Sequence, residues 1–339
     1  MKNNKKPLLV GNWKMNPSTL EEATKRFQAI QRNASLHKGF DVVICPPFPF
    51  VATLASIANK DRKIGVGAQD CSIFEDGSSR TGDVSAKMIQ STGANYVIVG
   101  HSERRALGDT GETISLKIQE ALKTSLNIIV CVGEKERDAD GGYFEVIKAQ
   151  LKEVLSRVDR SNFHRIIIAY EPVWAIGRKD NVALTSYDLH QMVVYIKKFF
   201  KETWGETISS MTKILYGGSV NGSNAEDIMW NGEVDGLLIG RSSYEAESFG
   251  EIFSAISDAD KNSSTQELKK TLQKAHDQKK GARPESSVSA SSRLSSTLHR
   301  TAAKKEERKA KLAESFKSKK ALPKSKNSPK PKSPNKKKK

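Results

Sequence analysis

One carboxylate stands at the end of a strongly apolar stretch of the chain. The stretch Ile166–Gly177 reads IIIAYEPVWAIG, and its short apolar run predicts a buried strand rather than a helix. The strand would end near Tyr170, so Glu171 lies where strand becomes loop, and Pro172 restricts its backbone. Burial beside a tryptophan raises the pKa of a carboxyl group and makes it a better general base. Taken alone, Glu171 is also consistent with an ordinary surface glutamate.

Three other polar side chains follow short apolar runs and could serve electrostatic or acid–base chemistry. Asn12 and Lys14 come after the run Leu8–Gly11, and His101 comes after Tyr96–Gly100. A lysine can stabilise developing negative charge, and an imidazole can polarise a carbonyl group. Each also has a plainer interpretation: a solvated lysine, an asparagine that caps a turn, and a structural histidine bonded to a backbone carbonyl.

The chain repeats a unit of one short apolar run, a turn signal and a helix-like segment. The runs are Leu8–Gly11, Val42–Cys45, Ile64–Gly67, Tyr96–Gly100, Ile128–Val132, Ile166–Tyr170, Ile214–Tyr216 and Leu237–Ile239. The segments between them include Glu21–Arg32, Ile114–Thr124, Phe144–Val158 and Tyr187–Thr203. Eight such units predict an α/β fold, a closed (β/α)8 barrel, whose active site gathers at the C-terminal ends of its strands. A doubly wound open sheet is the alternative, but no GxGxxG follows the first run.

Eight stretches of the sequence, in order, resemble the triosephosphate isomerase family. They are GNWKMN (Gly11–Asn16), CPPFPF (Cys45–Phe50), GAQDCS (Gly67–Ser72), VGHSERR (Val99–Arg105), CVGE (Cys131–Glu134), AYEPVWAIG (Ala169–Gly177), YGGSV (Tyr216–Val220) and LLIGRSS (Leu237–Ser243). The resemblance covers about Leu8 to Ser257. It implies a TIM barrel and an isomerase without cofactor or metal, which interconverts dihydroxyacetone phosphate and D-glyceraldehyde 3-phosphate in glycolysis and gluconeogenesis.

The resemblance implies a role for each polar residue of the predicted site. Glu171 would move a proton between adjacent carbons through an enediol(ate), and His101 would polarise the substrate oxygens as a neutral imidazole, a pairing for which this family is a standard example. A helix turn that begins at Ser102 would oppose imidazolium with its positive end. Lys14 and Asn12 would meet the phosphate and the developing charge of the substrate.

Phosphate binding is expected at two turns and a lid. The Gly-Gly-Ser turn that ends at Ser219 can bring backbone N–H groups to a phosphate, and Gly240 and Arg241 follow the eighth run, where such barrels often bind phosphate. Ordinary glycine turns are the alternative for either turn taken singly. The resemblance adds a lid over Pro172–Val182, within which Gly177 would contact phosphate.

Further residues are implied behind the site and between subunits. Ser102 and Glu103 would support the catalytic groups, with Glu103 and Arg104 as an ion pair; a solvated pair would contribute little. The loop around Thr81 would insert into a partner subunit, so the resemblance implies a homodimer.

Several positions depart from the family pattern. Arg241 stands where a second glycine is common, and it would be strained if that position requires a positive φ. The lid reads GRKDNVA where the family commonly has GTGKTA, so the hinge and closing rate of the family do not carry over to Arg178–Val182. Asp70 and Asp83 replace a common asparagine and glutamate near the expected dimer contact. None of these changes removes a catalytic group.

The charge of the chain is concentrated at its C-terminal end. Residues 261–339 carry 25 Lys and Arg against 6 Asp and Glu, a net charge of +19, whereas Met1–Asp260 carries −2. We expect residues 1–258 to form the barrel and residues 259–339 to form a largely disordered Lys-rich tail, because this composition buries too little apolar surface to fold. Three roles stay open for the tail: none, binding of RNA, DNA or another polyanion, or attachment to an anionic surface.

Cysteine content and hydropathy predict the compartment. Cys45, Cys71 and Cys131 are odd in number and lack CxxC spacing, which argues against a disulfide framework or a zinc site. No run has the length of a signal peptide core or a membrane span, so we expect a cytoplasmic protein.

Two other functions compete with the isomerase: another phosphate-binding barrel enzyme, and a passive carrier whose tail adheres to nucleic acid or a surface. The presence of Lys14, His101 and Glu171 together favours the isomerase.

Overall fold

The predicted alternation of strands and helices is confirmed. The computed structural model describes residues 6–61, 64–138, 140–175 and 184–257. Its strands are β1 (Leu8–Asn12), β2 (Asp41–Cys45), β3 (Ile64–Ala68), β4 (Tyr96–Val99), β5 (Asn127–Val132), β6 (Ile166–Tyr170), β7 (Lys213–Tyr216) and β8 (Gly236–Ile239). Each agrees with its predicted apolar run to within one residue at either end.

The helices follow the strands in the order that a (β/α) repeat requires. They are α1 (Leu20–Leu36), α2 (Phe48–Asp61), α3 (Ala86–Ser91), α4 (Ser102–Ala106), α5 (Gly111–Leu122), α6 (Gly142–Leu155), α7 (Ser186–Trp204), α8 (Glu206–Met211) and α9 (Ala225–Trp230), and residues 246–257 are also helical. Short 3-10 helices occupy Arg160–Arg165, Val173–Ala175 and Arg241–Ser243.

The sheet closes on itself. Every strand pairs in parallel with the next, and β8 pairs back onto β1. The β1–β8 register runs from Leu8 opposite Gly236 to Gly11 opposite Ile239. The two strands approach so closely that a Cβ on Gly236 would lie 2.0 Å from the carbonyl oxygen of Leu8. This last pairing confirms the closed barrel and excludes the open sheet.

The core has two layers, one inside the barrel and one between the strands and the helices. Successive side chains of β1 alternate between them: Leu8 and Val10 pack in the interior, and Leu9 packs against the helices. Strands buried on both faces appear in a sequence as continuous apolar runs, which explains why these strands could be recognised from the sequence. Since side chains fill the interior, the mouth of the barrel is the place available for chemistry.

Threonine caps begin three of the long helices. Thr19, Thr110 and Thr185 each accept a hydrogen bond from a backbone N–H of the first turn of α1, α5 and α7. In this fold each helix begins after the loop on the mouth side, so these caps fix where the loops around the site end.

The expected boundary near residue 258, the tail of residues 259–339 and most of the lid lie outside the described residues. Within the described ranges, no helix is both long enough and apolar enough to cross a membrane.

Candidate active site

The residues predicted from the sequence lie at one end of the barrel. Asn12 ends β1, His101 follows β4 and Glu171 follows β6. Ser219 and Gly240 come after β7 and β8. Because all eight strands run parallel, their C-terminal ends form a single mouth, and these side chains share it.

Glu171 and His101 contact each other directly. The Oε1 atom of Glu171 lies 3.2 Å from Nε2 of His101, and its Oε2 atom accepts a hydrogen bond from the backbone N–H of Ser102 at 3.0 Å. Glu171 is 2% exposed and His101 is 7% exposed. Glu171 is therefore not a surface glutamate, and the two side chains form a buried pair.

Burial shifts the protonation of Glu171. The loss of solvation raises the pKa of its carboxyl group above the ordinary value of 4.5, because an ionised group is penalised most in a poorly hydrated place. His101, the N–H of Ser102 and Lys14 all lower that pKa, but they only partly offset the rise. The result is a carboxylate that holds a proton more tightly than an ordinary glutamate, as a general base requires.

The orientation of the His101 ring is set by α4. His101 caps this helix, and its Nδ1 atom accepts a hydrogen bond from the backbone N–H of Glu103 at 3.2 Å. A backbone N–H can only donate, so Nδ1 carries no proton and the proton of the neutral ring resides on Nε2. The Nε2–H group therefore points to Glu171 and is the donor available at the mouth.

Two glycines make room for Glu171. A Cβ on Gly133 would lie 1.7 Å from the carbonyl oxygen of Glu171, and a Cβ on Gly217 would lie 2.7 Å from its Cγ atom. The backbone of Glu171 is tied to the neighbouring strand by its N–H, which donates to the carbonyl of Val132 at 2.8 Å. Both glycines belong to stretches that carried the family resemblance, and here their role is to leave space for the base.

Lys14 stands on a strained turn. Its φ is +53°, in a region that costs a non-glycine residue about 1–3 kcal/mol. The Oδ1 atom of Asn12 accepts from the N–H of Lys14 at 3.0 Å, and Nε2 of Gln69 donates to the carbonyls of Lys14 and Cys45, both at 2.8 Å. Asn12 thus caps the turn, as its plainer interpretation held, and through this cap it holds Lys14 at the mouth. Sequence reasoning did not single out Gln69, although it lies within the matched stretch GAQDCS.

The charges on α4 pair differently from what the resemblance implied. Glu103 does not pair with Arg104: its Oε1 atom lies 2.6 Å from Nζ of Lys14, while Arg104 Nε lies 2.9 Å from Asp70. Adjacent residues point to different sides of a helix, which explains why neighbours in sequence find separate partners. Lys14 and Glu103 are 36% and 58% exposed, so their pair contributes little stability and mainly orients the lysine.

Arg241 adopts an ordinary backbone conformation. It opens the 3-10 helix that follows β8, and the non-glycine residues of the described chain with positive φ are Lys14 and Glu233. The departure from the glycine of the family therefore introduces no strain.

Backbone N–H groups are available at the two expected phosphate turns. In the described part of the chain, the N–H groups of Ser219, Gly240 and Arg241 have no protein acceptor. A Cβ on Gly240 would lie 3.5 Å from Cε of Lys14, which places this turn beside the lysine. Gly177, the remaining expected phosphate contact, lies outside the described residues.

Glu134 is a further residue of the site that sequence reasoning did not single out. Its Oε1 atom accepts from the hydroxyl of Tyr170 and from Nε1 of Trp174, both at 2.8 Å, and the residue is 1% exposed. Tyr170 and Trp174 flank Glu171, so Glu134 fixes the chain on both sides of the base. The signal was present in the sequence: Glu134 is a carboxylate just past the end of an apolar run, as Glu171 is.

Comparisons of the sequence and of the structure with known proteins all find triosephosphate isomerases. The triosephosphate isomerase family model matches residues 7–256. The chain is 40% identical over 256 residues to a triosephosphate isomerase of Dehalococcoides mccartyi, covering 75% of this chain and 98% of that protein, and 40% identical over 258 residues to one of Porphyromonas gingivalis, covering 74% and 100%. The solved structure of triosephosphate isomerase from Bartonella henselae superposes with a TM-score of 0.65 at 32% identity, covering 74% of this chain and 99% of that one.

Proposed function

The chain belongs to the triosephosphate isomerase family, and from this premise we propose that it interconverts dihydroxyacetone phosphate and D-glyceraldehyde 3-phosphate with Glu171 as base and His101 as electrophile. The observation that carries the assignment is the buried 3.2 Å contact between these two side chains at the mouth of the barrel. A carboxylate with a raised pKa and a neutral imidazole that presents Nε2–H are the two groups this reaction needs.

The reaction exchanges a proton between two adjacent carbons. Glu171 takes a proton from the carbon next to the carbonyl of the substrate, and the enediol(ate) that results takes the proton back at the other carbon. The hydroxyl proton must also pass from one substrate oxygen to the other. His101, whose Nε2–H group donates to these oxygens, carries it between them, and Lys14 stabilises the negative charge that develops on them. Since Glu171 contacts both His101 and the N–H of Ser102, it must exchange one of these contacts for the substrate.

The substrate phosphate binds to backbone N–H groups in this assignment. The N–H groups of Ser219, Gly240 and Arg241, which have no acceptor among the described residues, support an anion site, and Gly240 places it beside Lys14. Gly177 completes the site by resemblance.

Replacement of Glu171 by glutamine tests the assignment. Glu171→Gln keeps the shape of the side chain but removes the base, so we expect turnover to fall by about 10²–10⁴-fold or more while circular dichroism shows an unchanged fold. The matched control is Glu145→Gln, which changes an exposed glutamate of α6 that pairs with Lys148. Undiminished turnover of Glu171→Gln would refute the assignment of Glu171 as the base.

We propose a homodimer formed through the loop around Thr81. Thr81 is exposed, and no atom of the described residues comes within 4 Å of a Cβ built on Gly77 or Gly82, so there is open space around these two positions of the loop. Met15 and Leu107 are 92% and 78% exposed, which leaves large apolar side chains for a second copy of the chain to cover.

A second activity is proposed for the tail, namely binding of RNA, DNA or another polyanion without sequence preference. The observation that favours it is the net charge of +19 in residues 261–339, against −2 in the rest of the chain. Fluorescence anisotropy with a labelled RNA compares the full chain with a chain that stops after Asp258. Tight binding by the full chain only, weakening steeply with salt, supports the proposal; equal binding by both chains discards it.

The proposed setting is glycolysis and gluconeogenesis in the cytoplasm. All three cysteines, at positions 45, 71 and 131, are free and buried, which suits a reducing compartment. Cell fractionation with an antibody against the barrel checks the location.

A further inference from the structure

The helix that carries much of the site has little packing of its own. α4 is five residues long and contains no buried residue. Nevertheless its first turn orients His101, supplies the N–H of Ser102 to Glu171, and carries Glu103, which pairs with Lys14. A short exposed helix does not hold such groups in place by itself, so contacts outside the helix must attach it to the barrel.

Arg105 makes this attachment. From α4 its Nε atom donates to the carbonyl of Gly100 at 2.9 Å, and its Nη2 atom donates to the carbonyl of Cys131 at 3.0 Å. Gly100 directly precedes His101, and Cys131 lies in β5. One guanidinium therefore joins the turn that bears His101 to the strand between β4 and β6.

The carbonyl of Cys131 needs this donor because the sheet has ended beside it. The carbonyl of Val132 points toward β6, where it accepts the N–H of Glu171. Successive carbonyls of a strand point to opposite neighbours, so the carbonyl of Cys131 faces β4, which ends at Val99. Arg105 supplies the hydrogen bond that the next residue of β4 would otherwise have made.

The turn at Gly100 is fixed from a second side. Gly100 has a φ of +69°, and a Cβ there would lie 2.9 Å from Cδ1 of Ile114. With Ile114 packed against this turn and Arg105 bonded to its carbonyl, the position of His101 relative to Glu171 is determined by a few short contacts.

We propose that Arg105 is a positioning residue for the isomerisation: its guanidinium fixes the separation of His101 and Glu171 by tying α4 to the ends of β4 and β5. The inference rests on the proposed function. A lysine cannot reproduce the two parallel bonds, because its ammonium group is a single point donor on a flexible stem, whereas guanidinium is a rigid planar fork.

Arg165 offers a matched control at the other end of the barrel. It precedes β6, and its guanidinium also donates to main-chain carbonyls, among them those of Leu122 at 2.9 Å and Thr124. Burial lowers the pKa of both arginines. The two side chains thus share their chemistry and differ in their distance from the site.

Four variants of the full chain test the inference: Arg105→Lys, Arg105→Ala, Arg165→Lys and Arg165→Ala. We expect kcat of Arg105→Ala to fall on the order of 10²-fold, since a displacement of about 1 Å at a catalytic group has this effect. KM should change little, and added guanidinium ion at millimolar concentration should restore part of kcat. Arg105→Lys should fall between Arg105→Ala and wild type. The Arg165 variants should lose thermal stability, keep kcat and show no rescue.

Unchanged kcat in folded Arg105 variants would overturn the inference, and so would an equal loss of kcat in the Arg165 variants. The imidazole ¹⁵N signals of His101 give a readout that does not depend on turnover. They should show one tautomer, protonated at Nε2, in wild type and a mixture in Arg105→Lys; identical spectra would also overturn it. Absence of wild-type turnover would instead refute the proposed function, and the spectra would still test Arg105.

Discussion

At the scale of single residues, the environment that makes Glu171 a base also makes it costly to the fold. Its pKa is raised above 4.5 in the folded chain, so folding favours the protonated form. The protonated carboxyl group costs the fold least, so the contribution of Glu171 to stability is fully present below pH 4.5. That contribution is lost as the pH rises through the raised pKa of the folded chain. Neutral pH lies above the ordinary value of 4.5, so the carboxyl group must either stay charged or take up a proton when it is buried, and both destabilise the barrel relative to an uncharged side chain of the same shape.

We accordingly predict that Glu171→Gln unfolds at a higher temperature than wild type at neutral pH, and that the gap closes in acid. Thermal unfolding across a pH series measures both, with Glu145→Gln as the control that should show no gap. A melting temperature of Glu171→Gln below that of wild type at neutral pH would contradict the assigned cause of the raised pKa. A gain in stability joined to a loss of turnover is the usual exchange at a catalytic site.

Space around the base can be tested as directly as its charge. In Gly217→Ala the new Cβ would lie 2.7 Å from Cγ of Glu171, so the base must move. We predict a fall in kcat of about 10²-fold, because the carboxylate is displaced from its position at the mouth. Initial rates measure this. In the control Gly250→Ala the new Cβ meets only the amide end of Asn33 at 3.0 Å, and kcat should hold; an unaffected Gly217→Ala would show that the space is not limiting.

At the scale of elements, a buried charge network joins the loop after β3 to α5. Nζ of Lys117, which is 4% exposed, lies 2.8 Å from Asp70 and 2.7 Å from Asp109. Burial raises the pKa of Asp70 and Lys117 partly offsets that rise. Asp70, a departure from the family pattern, is thus held by a partner in the interior.

Removal of the lysine should leave two carboxylates without their nearest cation, with the half-exposed Arg104 still beside them. We predict that Lys117→Met lowers the free energy of unfolding by about 3–5 kcal/mol at neutral pH. Without the lysine the pKa of Asp70 rises further, so the deficit should shrink as the pH falls and the carboxylates take up protons. Urea unfolding at several pH values measures this. The exposed pair of Lys25 and Glu21 is the control, and Lys25→Met should have no measurable effect; an equal loss in both variants would refute the network.

The sequence predicted features that arise within one continuous stretch, such as a strand, and missed contacts between residues that are far apart in the chain. The strand that ends at Tyr170 was legible because a strand buried on both faces is apolar throughout, and Glu171 followed from its end. The bonds from Gln69 to Lys14 and from Arg105 to Cys131 join residues far apart in sequence through main-chain carbonyls. Such bonds leave no periodic pattern in a sequence, so no single stretch of the sequence predicts them.

The question of strain at Arg241, which depended on whether the position requires a positive φ, illustrates the opposite limit. Its position in the family pattern suggested a glycine conformation, but the chain turns there through a 3-10 helix that any residue can adopt. Backbone angles follow from the turn that a loop makes, and the identity of one residue in the loop does not determine them.

At the scale of the whole molecule, the proposed dimer predicts a measurable change of size. Thr81→Arg places a bulky cation in the loop that would enter the partner, so we expect the full chain to sediment as a dimer and this variant to dissociate at a concentration at least about tenfold higher, or roughly 1.4 kcal/mol. Sedimentation velocity across a dilution series measures it. Thr207→Arg, at an exposed site on α8, is the control. Indistinguishable behaviour of the two variants would move the interface elsewhere.

The pairing of β1 with β8 also has a consequence for how the protein is made. The indole of Trp13 donates to the carbonyl of Ser243, and Leu8 lies opposite Gly236. The contacts that close the barrel at β1 therefore cannot form until β8 has been synthesised. Residues 258–339 are translated afterwards, and at roughly 5–20 residues per second they occupy the ribosome for several seconds more. During that interval the ring can close while the chain is still tethered to the ribosome, before release allows one unfinished barrel to meet another.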